Sequence, residues 1–323
     1  MKRQVFAMVI CLSVGLAALP LSAQDSDNIQ TFEDLVTVRG FLGFNLPSVN
    51  IVHEYGNVLK EVIYQPNPSA GGYYGVGIGW NGLGISLVND IPPGDDDVER
   101  YGESSFENLS MFLYGRQYGI DLYYQRYKGC YMSNPGDFGL HEGDPETIRP
   151  DLSLSAVGLN AYYVFSGNFS LVASFSQTER QLGSGGSFLF MVSAMRLVID
   201  SDAPLFPAAH DGGGYAGFRG GRFYSLATSP GYAYSLVYGG LYLTLGVFIG
   251  GGLVYEELDV SSGEKSDYGF MIRSSVKSAL GYNGERFFAG IMVIYDIVSG
   301  GWWRPLHVEQ MLLNMELFAG TRF

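Results

Sequence analysis

The chain ends in a strict two-residue alternation that closes on an aromatic residue. Leu313, Met315, Leu317, Ala319, Thr321 and Phe323 fall on one face of an extended strand, and Asn314, Glu316, Phe318, Gly320 and Arg322 on the other. Successive side chains of a strand point to opposite faces, so the first set suits lipid and the second a polar interior. At the opposite end, Lys2 and Arg3 precede an apolar run from Val5 to Pro20, and Leu21-Ser22-Ala23 supplies the small residue that a signal peptidase requires. Residues 1–23 therefore read as a signal peptide and residues 24–323 as one exported domain. Pro20 and Ser22 close the apolar run short of the roughly 20 residues of a spanning helix. Cys11 follows the large Ile10, and cleavage there would leave too short a hydrophobic region for a lipoprotein signal.

The alternation recurs along the chain. Leu241, Leu243, Leu245, Val247, Ile249 and Leu253 oppose Tyr242, Thr244, Gly246, Phe248 and Gly250; Phe287, Ala289, Ile291, Val293, Tyr295 and Ile297 oppose Gly290 and Asp296. Both runs exceed the roughly 9–11 residues a tilted strand needs to cross a bilayer, whereas strands of soluble sandwiches usually have about five or six. The 45 Gly, 23 Tyr and 21 Phe, with only 16% charged residues, fit the same class; soluble domains carry about 25% charged residues. The expected fold is all-β: a single transmembrane antiparallel up-and-down β-barrel in a bacterial outer membrane. Its surroundings would be outer-membrane lipid, and its C-terminal Phe323 would be an assembly signal read by the barrel-assembly machinery. Fourteen candidate strands lead to about 12 or 14 in the ring. Short turns at Asn81-Gly82, Ser166-Gly167-Asn168, Gly239-Gly240 and Asn283-Gly284 alternate with longer connectors at 91–104, 128–150, 200–223, 257–267 and 299–309. Assigning short turns to one end and long connectors to the other works from both termini but collides between 169 and 200. Either one strand is miscounted, or a long segment lies on the periplasmic side or folds into the lumen.

The acid excess, with a net charge of −13 before Lys2 and Arg3 are removed, excludes nucleic acid as a partner. Cys130 is then the one cysteine, so no internal disulfide can form. Gly77, Gly79 and Gly82 match a dinucleotide fingerprint but run from one strand into another, where glycines make room for large inward neighbours. His53, His141, His210 and His307 lack ligand spacing, and no G-x-S-x-G elbow is present. No catalytic, metal or cofactor site is expected, and a hydrolase is the least favoured reading. Asp95, Asp96, Asp97 and Glu99 read as a solvated surface loop, with a bridging cation as the sharper alternative.

Polar residues inside strands are the informative ones, because a midplane Arg or Lys facing lipid costs about 2–4 kcal/mol. Asp121 and Gln125 share one face; Arg273 and Lys277 share another; Glu316 and Arg322 lie on the inner face of the last strand. These side chains are expected to face the lumen and pair there. They would line a path or binding site for a small solute, or else form a salt-bridge network that plugs a structural or surface-interaction barrel.

Tyr64-Gln65-Pro66-Asn67, Asp121 to Gln125 with Tyr127-Lys128-Gly129, Phe169-Ser170, Gln177 to Gln181, Ser184 to Leu189 and Gly231 to Tyr234 run in order over most of the chain. In these segments the sequence resembles a family of uncharacterised bacterial outer-membrane β-barrel proteins catalogued as a domain of unknown function. The resemblance implies an exported barrel and no activity or substrate. It adds Glu179 and Arg180 to the candidate lumen-facing polar residues; independently of the resemblance, a polar block at a strand end could anchor an inward-folded stretch such as His210 to Gly221.

Overall fold

The computed structural model describes residues 27–323 except 33, 56–57, 81–82, 116 and 302–303. The signal-peptide reading and the Asn81-Gly82 turn lie outside those residues. Fifteen strands follow in chain order: β1 Ile29–Thr31, β2 Thr37–Tyr55, β3 Val58–Gln65, β4 Gly72–Trp80, β5 Leu83–Asp90, β6 Ser105–Tyr114, β7 Tyr118–Met132, β8 Ile148–Val164, β9 Glu179–Gln181, β10 Gly185–Asp200, β11 Gly220–Tyr238, β12 Leu241–Val260, β13 Gly263–Asn283, β14 Phe287–Gly300 and β15 Leu306–Arg322. Apart from β1 and β9, which pair with each other, all belong to one antiparallel sheet that closes when β15 pairs with β2 along its length.

Closure follows from the alternation. In β12 from Leu241 to Ile249 the even-numbered residues are buried and the odd ones exposed, and β14 from Phe287 to Met292 and β15 from Met315 to Ala319 show the same alternation. The outer surface carries an apolar belt edged by aromatics. Trp80, Tyr118, Phe165, Tyr238, Tyr282, Phe287 and Phe323 are exposed at the end with short turns, and Tyr224, Tyr268 and Phe270 near the end with long loops. This is the surface of a transmembrane barrel. Gly239 and Gly240 make the two-residue turn between β11 and β12, both at positive φ, which L-residues with a Cβ adopt at a cost.

The ring is not the same at its two ends. At the turn end, β2 pairs with β4, and the wall runs β4–β5–β6–β7, giving 12 strands. At the loop end, the upper half of β2 pairs instead with β3, and β3 reaches β7 through Tyr64–Met132 and Gln65–Tyr131. That bypass leaves out β4, β5 and β6 and reduces the ring to 10 strands. Val58–Gln65 thus belongs to the narrowed mouth.

The segment expected as a strand at 169–180 is not one. Ser170 Oγ accepts from Ala173 N (2.9 Å) and caps a short helix, Leu171–Phe175, which is followed by β9. Alternation misleads here because the segment lies inside the barrel, where apolar and polar side chains are both buried. Removing it from the count places residues 200–223 on the loop end with the other long connectors, and the strand number comes out at the lower expectation. Glu179-Arg180-Gln181 does not anchor His210 to Gly221, which lies at the opposite end. Cys130, placed in a connector from sequence, is on β7 and 1% exposed.

Inward glycines face large side chains. A Cβ on Gly43 would fall 2.1 Å from the Tyr73 ring, which occupies that space. The Gly43→Val barrel is therefore expected to unfold at a lower temperature, by roughly 1–3 kcal/mol of overpacking. The check is the temperature at which the compact band of unboiled protein disappears on detergent gels.

Candidate functional site

Two chain segments fill the lumen from opposite ends. At the turn end, residues 169–181 fold inward, with Phe169, Leu171, Val172 and Phe175 in one apolar cluster with wall residues such as Tyr242, Phe248 and Phe288. Arg322, on the inner face of the last strand and 2% exposed, holds this insert. Its Nε donates to Gln177 O (2.9 Å), Nη1 to Gly284 O (2.6 Å) and Nη2 to Asn283 Oδ1 (2.5 Å). Asn283 Nδ2 in turn donates to Ala173 O (3.0 Å) and Glu179 O (2.9 Å). The Glu179 carboxylate accepts from Ser170 Oγ at 2.5 Å. Arg180 lies in β9 opposite Gln30. Glu179, Arg180 and Arg322 therefore belong to the insert and its anchorage.

At the loop end, residues 201–219 fold into the narrowed mouth and bury Leu205, Phe206 and Phe218 against the upper wall. Arg149 Nη1 donates to Pro204 O (2.9 Å) and Nη2 to Ala203 O (2.8 Å), while its guanidinium also bridges both Asp151 oxygens (3.0 and 2.9 Å). Tyr64 OH donates to Leu205 O at 2.6 Å. Sequence reading missed Arg149 because it precedes the alternating part of its strand.

Between the inserts a cavity of about 230 Å³ remains, lined among others by Asp121, Gln125, Arg273, Lys277 and Glu316. Lys277 Nζ donates to Tyr162 OH (2.7 Å) and lies 3.4 Å from Asp121 Oδ2, whose other oxygen accepts from Tyr114 OH. Arg273 Nη2 stands 3.8 Å from Asp296 Oδ1, and Arg39 Nη1 3.3 Å from Glu316 Oε1. Asn314 Nδ2 donates to Tyr73 OH (2.7 Å) and Asn45 Oδ1 (2.6 Å) beside that last pair. Arg39 was not singled out from sequence, although it shares the inner face with Phe41 in the first long strand. Asn160, 7% exposed, presents its Oδ1 to the cavity wall without a hydrogen-bond partner, as does Asn108 on β6.

The remaining candidates lie elsewhere. His53 packs on Phe206 and Tyr215, His210 on Phe138, and His141 is 3.8 Å from Asp144 on the surface. Asp95, Asp96 and Asp97 form the first turn of a short surface helix, Asp95–Tyr101. No group of three metal-ligating side chains occurs among the described residues. Gly75 faces Phe41, Gly77 faces Arg39 and Gly79 faces Thr178 of the lower insert, which accounts for that glycine run as space for neighbours.

The fold and its plugged lumen define a transmembrane β-barrel of the outer-membrane type. The chain belongs to the family described as Domain of unknown function (DUF4421), whose model matches residues 23–323. No curated protein matches it. Among solved structures it is similar to the outer membrane protease OmpT from Escherichia coli, at 9% identity and a TM-score of 0.42, covering 94% of this chain and 100% of that one. It is also similar to the outer-membrane expressed OmpT of Vibrio cholerae (10%, 0.28, covering 92% and 100%) and to the TodX monoaromatic hydrocarbon channel (9%, 0.27, covering 89% and 90%). At these TM-scores none of them bears on what this chain does.

The Arg322 latch has a direct test. Arg322→Ala leaves the carbonyls of Gln177 and Gly284 without their donor and is expected to loosen the lower insert, at a cost of about 1–3 kcal/mol for each orphaned acceptor. Limited proteolysis in detergent should then cut within 169–181, where the native chain resists. Arg322→Lys should restore little, because a single ammonium cannot reach donors' targets spread over three groups in the plane of a guanidinium.

Proposed function

We propose that the chain is a bacterial outer-membrane barrel that binds a small solute in its central cavity and passes it only when an insert moves. Phe323 would then stand at the periplasmic rim and the long loops outside the cell, with lipid around the apolar belt. The observation that carries this reading is the cavity lined by three cations and three carboxylates in a lumen that a latched insert enters from each end. Open diffusion pores keep a water-filled lumen, whereas here a chain segment enters from each end. A purely structural barrel would have no use for partner-seeking polar atoms in the space that remains. Phe323 exchanges backbone hydrogen bonds with Val36 (2.9 and 3.1 Å) and leaves its ring exposed, as recognition by assembly machinery would need. This reading assigns no catalytic step to the barrel.

Reconstitution in planar bilayers tests it. The wild-type protein is expected to show no steady open state, and the Arg149→Ala, Arg322→Ala double variant to conduct in discrete steps. In that opened background, Arg273→Gln with Lys277→Gln should shift ion selectivity towards cations, since fixed charge beside a path sets its local potential. A wild-type barrel that conducts steadily is an open pore. A folded double variant that stays silent is a structural barrel.

A further inference from the structure

The wall beside the cavity is split. β5 pairs with β6 only through Leu83–Leu113, Gly84–Phe112 and Ile85–Met111. Continuing that register would bring Ser86 opposite Ser110, Leu87 opposite Leu109 and Val88 opposite Asn108, but no ladder joins these residues. Each strand stays fully paired on its other side, β5 to β4 and β6 to β7. The split is therefore a parting between two intact hairpins and not a frayed strand.

Its frame is built. Below, the Phe112 ring lies over Gly84, where a Cβ would fall 1.8 Å from it, and stacks on Tyr114 at 5.2 Å. Above, Asn67 Nδ2 donates to Asp97 O (3.0 Å) and Gly102 O (2.9 Å), and Ser104 Oγ accepts from Asn67 N (2.8 Å) and donates to Gly129 O (2.8 Å). These bonds tie the β3–β4 and β5–β6 connectors together across the top. The parting follows from the change of ring size, because β3 takes over the contact with β7 and leaves β4–β5–β6 to end below the mouth.

The split also leads somewhere. Ser86 and Val88 on one edge and Asn108 and Ser110 on the other all line the central cavity. On the outer side the lips are apolar: Leu87 is 71% exposed and Ile85 45%, and Leu109 and Met111 are half-buried across from them. Small polar side chains inside and aliphatic ones outside make a passage whose outer mouth faces lipid. Along both edges every second residue turns its backbone N–H and C=O towards the parting, groups that cost several kcal/mol each when left to hydrocarbon.

We infer that the parting between β5 and β6 is a lateral portal through which a small amphiphile moves between the surrounding lipid and the central cavity. The inference rests on the reading of the cavity as a binding site. The cavity itself selects the class of ligand. Arg39, Arg273 and Lys277 are balanced by Asp121, Asp296 and Glu316, so the site carries no net charge and favours an uncharged or zwitterionic head with both donors and acceptors. Met195, Met292 and Leu312 supply adaptable apolar wall for a short tail. At about 230 Å³ the space lies below the ~300–1000 Å³ of drug-sized pockets and excludes a two-chain lipid.

The test is photolabelling in phosphatidylcholine vesicles with a diazirine-bearing eight-carbon monoglyceride and the matching anionic octanoate. Labelled peptides are mapped by mass spectrometry. The wild-type protein should carry the monoglyceride label on β7 and β13 residues that face the cavity, and much less of the octanoate. In a Cys130→Ala background, Leu87→Cys with Leu109→Cys places two thiols on the outer face of the lips, so oxidation closes the parting without changing the cavity wall. Oxidised protein should lose the cavity label and keep the label on its lipid face, and reduction should restore it. Leu109→Trp, on the outer lip, fills the gap without a crosslink or a change to the cavity wall and should lose the same label. Cavity label that survives both closures overturns the portal and leaves the binding site standing. Absence of cavity label in the reduced and wild-type proteins overturns the binding site and the portal with it.

Discussion

The closing ladder between β15 and β2 is the interaction on which the rest depends. Backbone N–H and C=O groups left open to hydrocarbon cost several kcal/mol each, so a strand-built wall is driven to return to its first strand. Here the return is continuous from Leu306–His53 to Arg322–Thr37. It fixes register around the ring, and register decides which alternate residues meet lipid and which meet the lumen. The inward placement of Glu316 and Arg322, and the outward placement of Leu317 and Phe323, follow from that one seam.

A closed ring of this size encloses more space than wall side chains fill, and the chain solves this by spending two of its own connectors on the interior. Both inserts carry backbone into a place without bulk water, so their carbonyls need donors. Each end provides an arginine: Arg149 serves Ala203 and Pro204, and Arg322 serves Gln177 and Gly284. A guanidinium suits the task because it offers several N–H groups in a fixed plane and stays charged. The two latches are independent in sequence and in position, so each end of the lumen can be freed while the other stays shut.

The wall was legible in the sequence because period two is imposed residue by residue wherever one face meets lipid and the other does not. The long strands from Leu241 onward, and the inward set Arg273, Lys277 and Glu316, are read from that contrast. The contrast disappears inside the barrel. Phe169 to Ser176 alternates as a wall strand would, yet it is surrounded on all sides, and its identity is set by the Ser170 cap and the Arg322 latch, neither of which leaves a periodic trace. Arg149 escaped for a related reason, since its partners are carbonyls in a loop more than fifty residues away. The parting of β5 and β6 is likewise invisible in sequence: both strands alternate normally, and only the bypass through β3 separates them.

The lumen contains its own comparison between two ways of filling a barrel. At the loop end, Leu205, Phe206 and Phe218 pack against apolar wall, and the ion pair there, Arg149 with Asp151, is a close hydrogen-bonded one at 2.9 Å that also ties down the insert. In the middle, the same wall carries three cation–carboxylate pairs, two of them too loosely set for a hydrogen bond between the partners. Buried pairs of this kind seldom add stability over well-packed apolar residues, since desolvation offsets their attraction. The barrel had the apolar solution available within one strand length and uses it where it needs closure. On the proposed reading, the charge held in the middle, around a space with unpartnered amide oxygens, serves what enters that space, since it adds little to the stability of the wall.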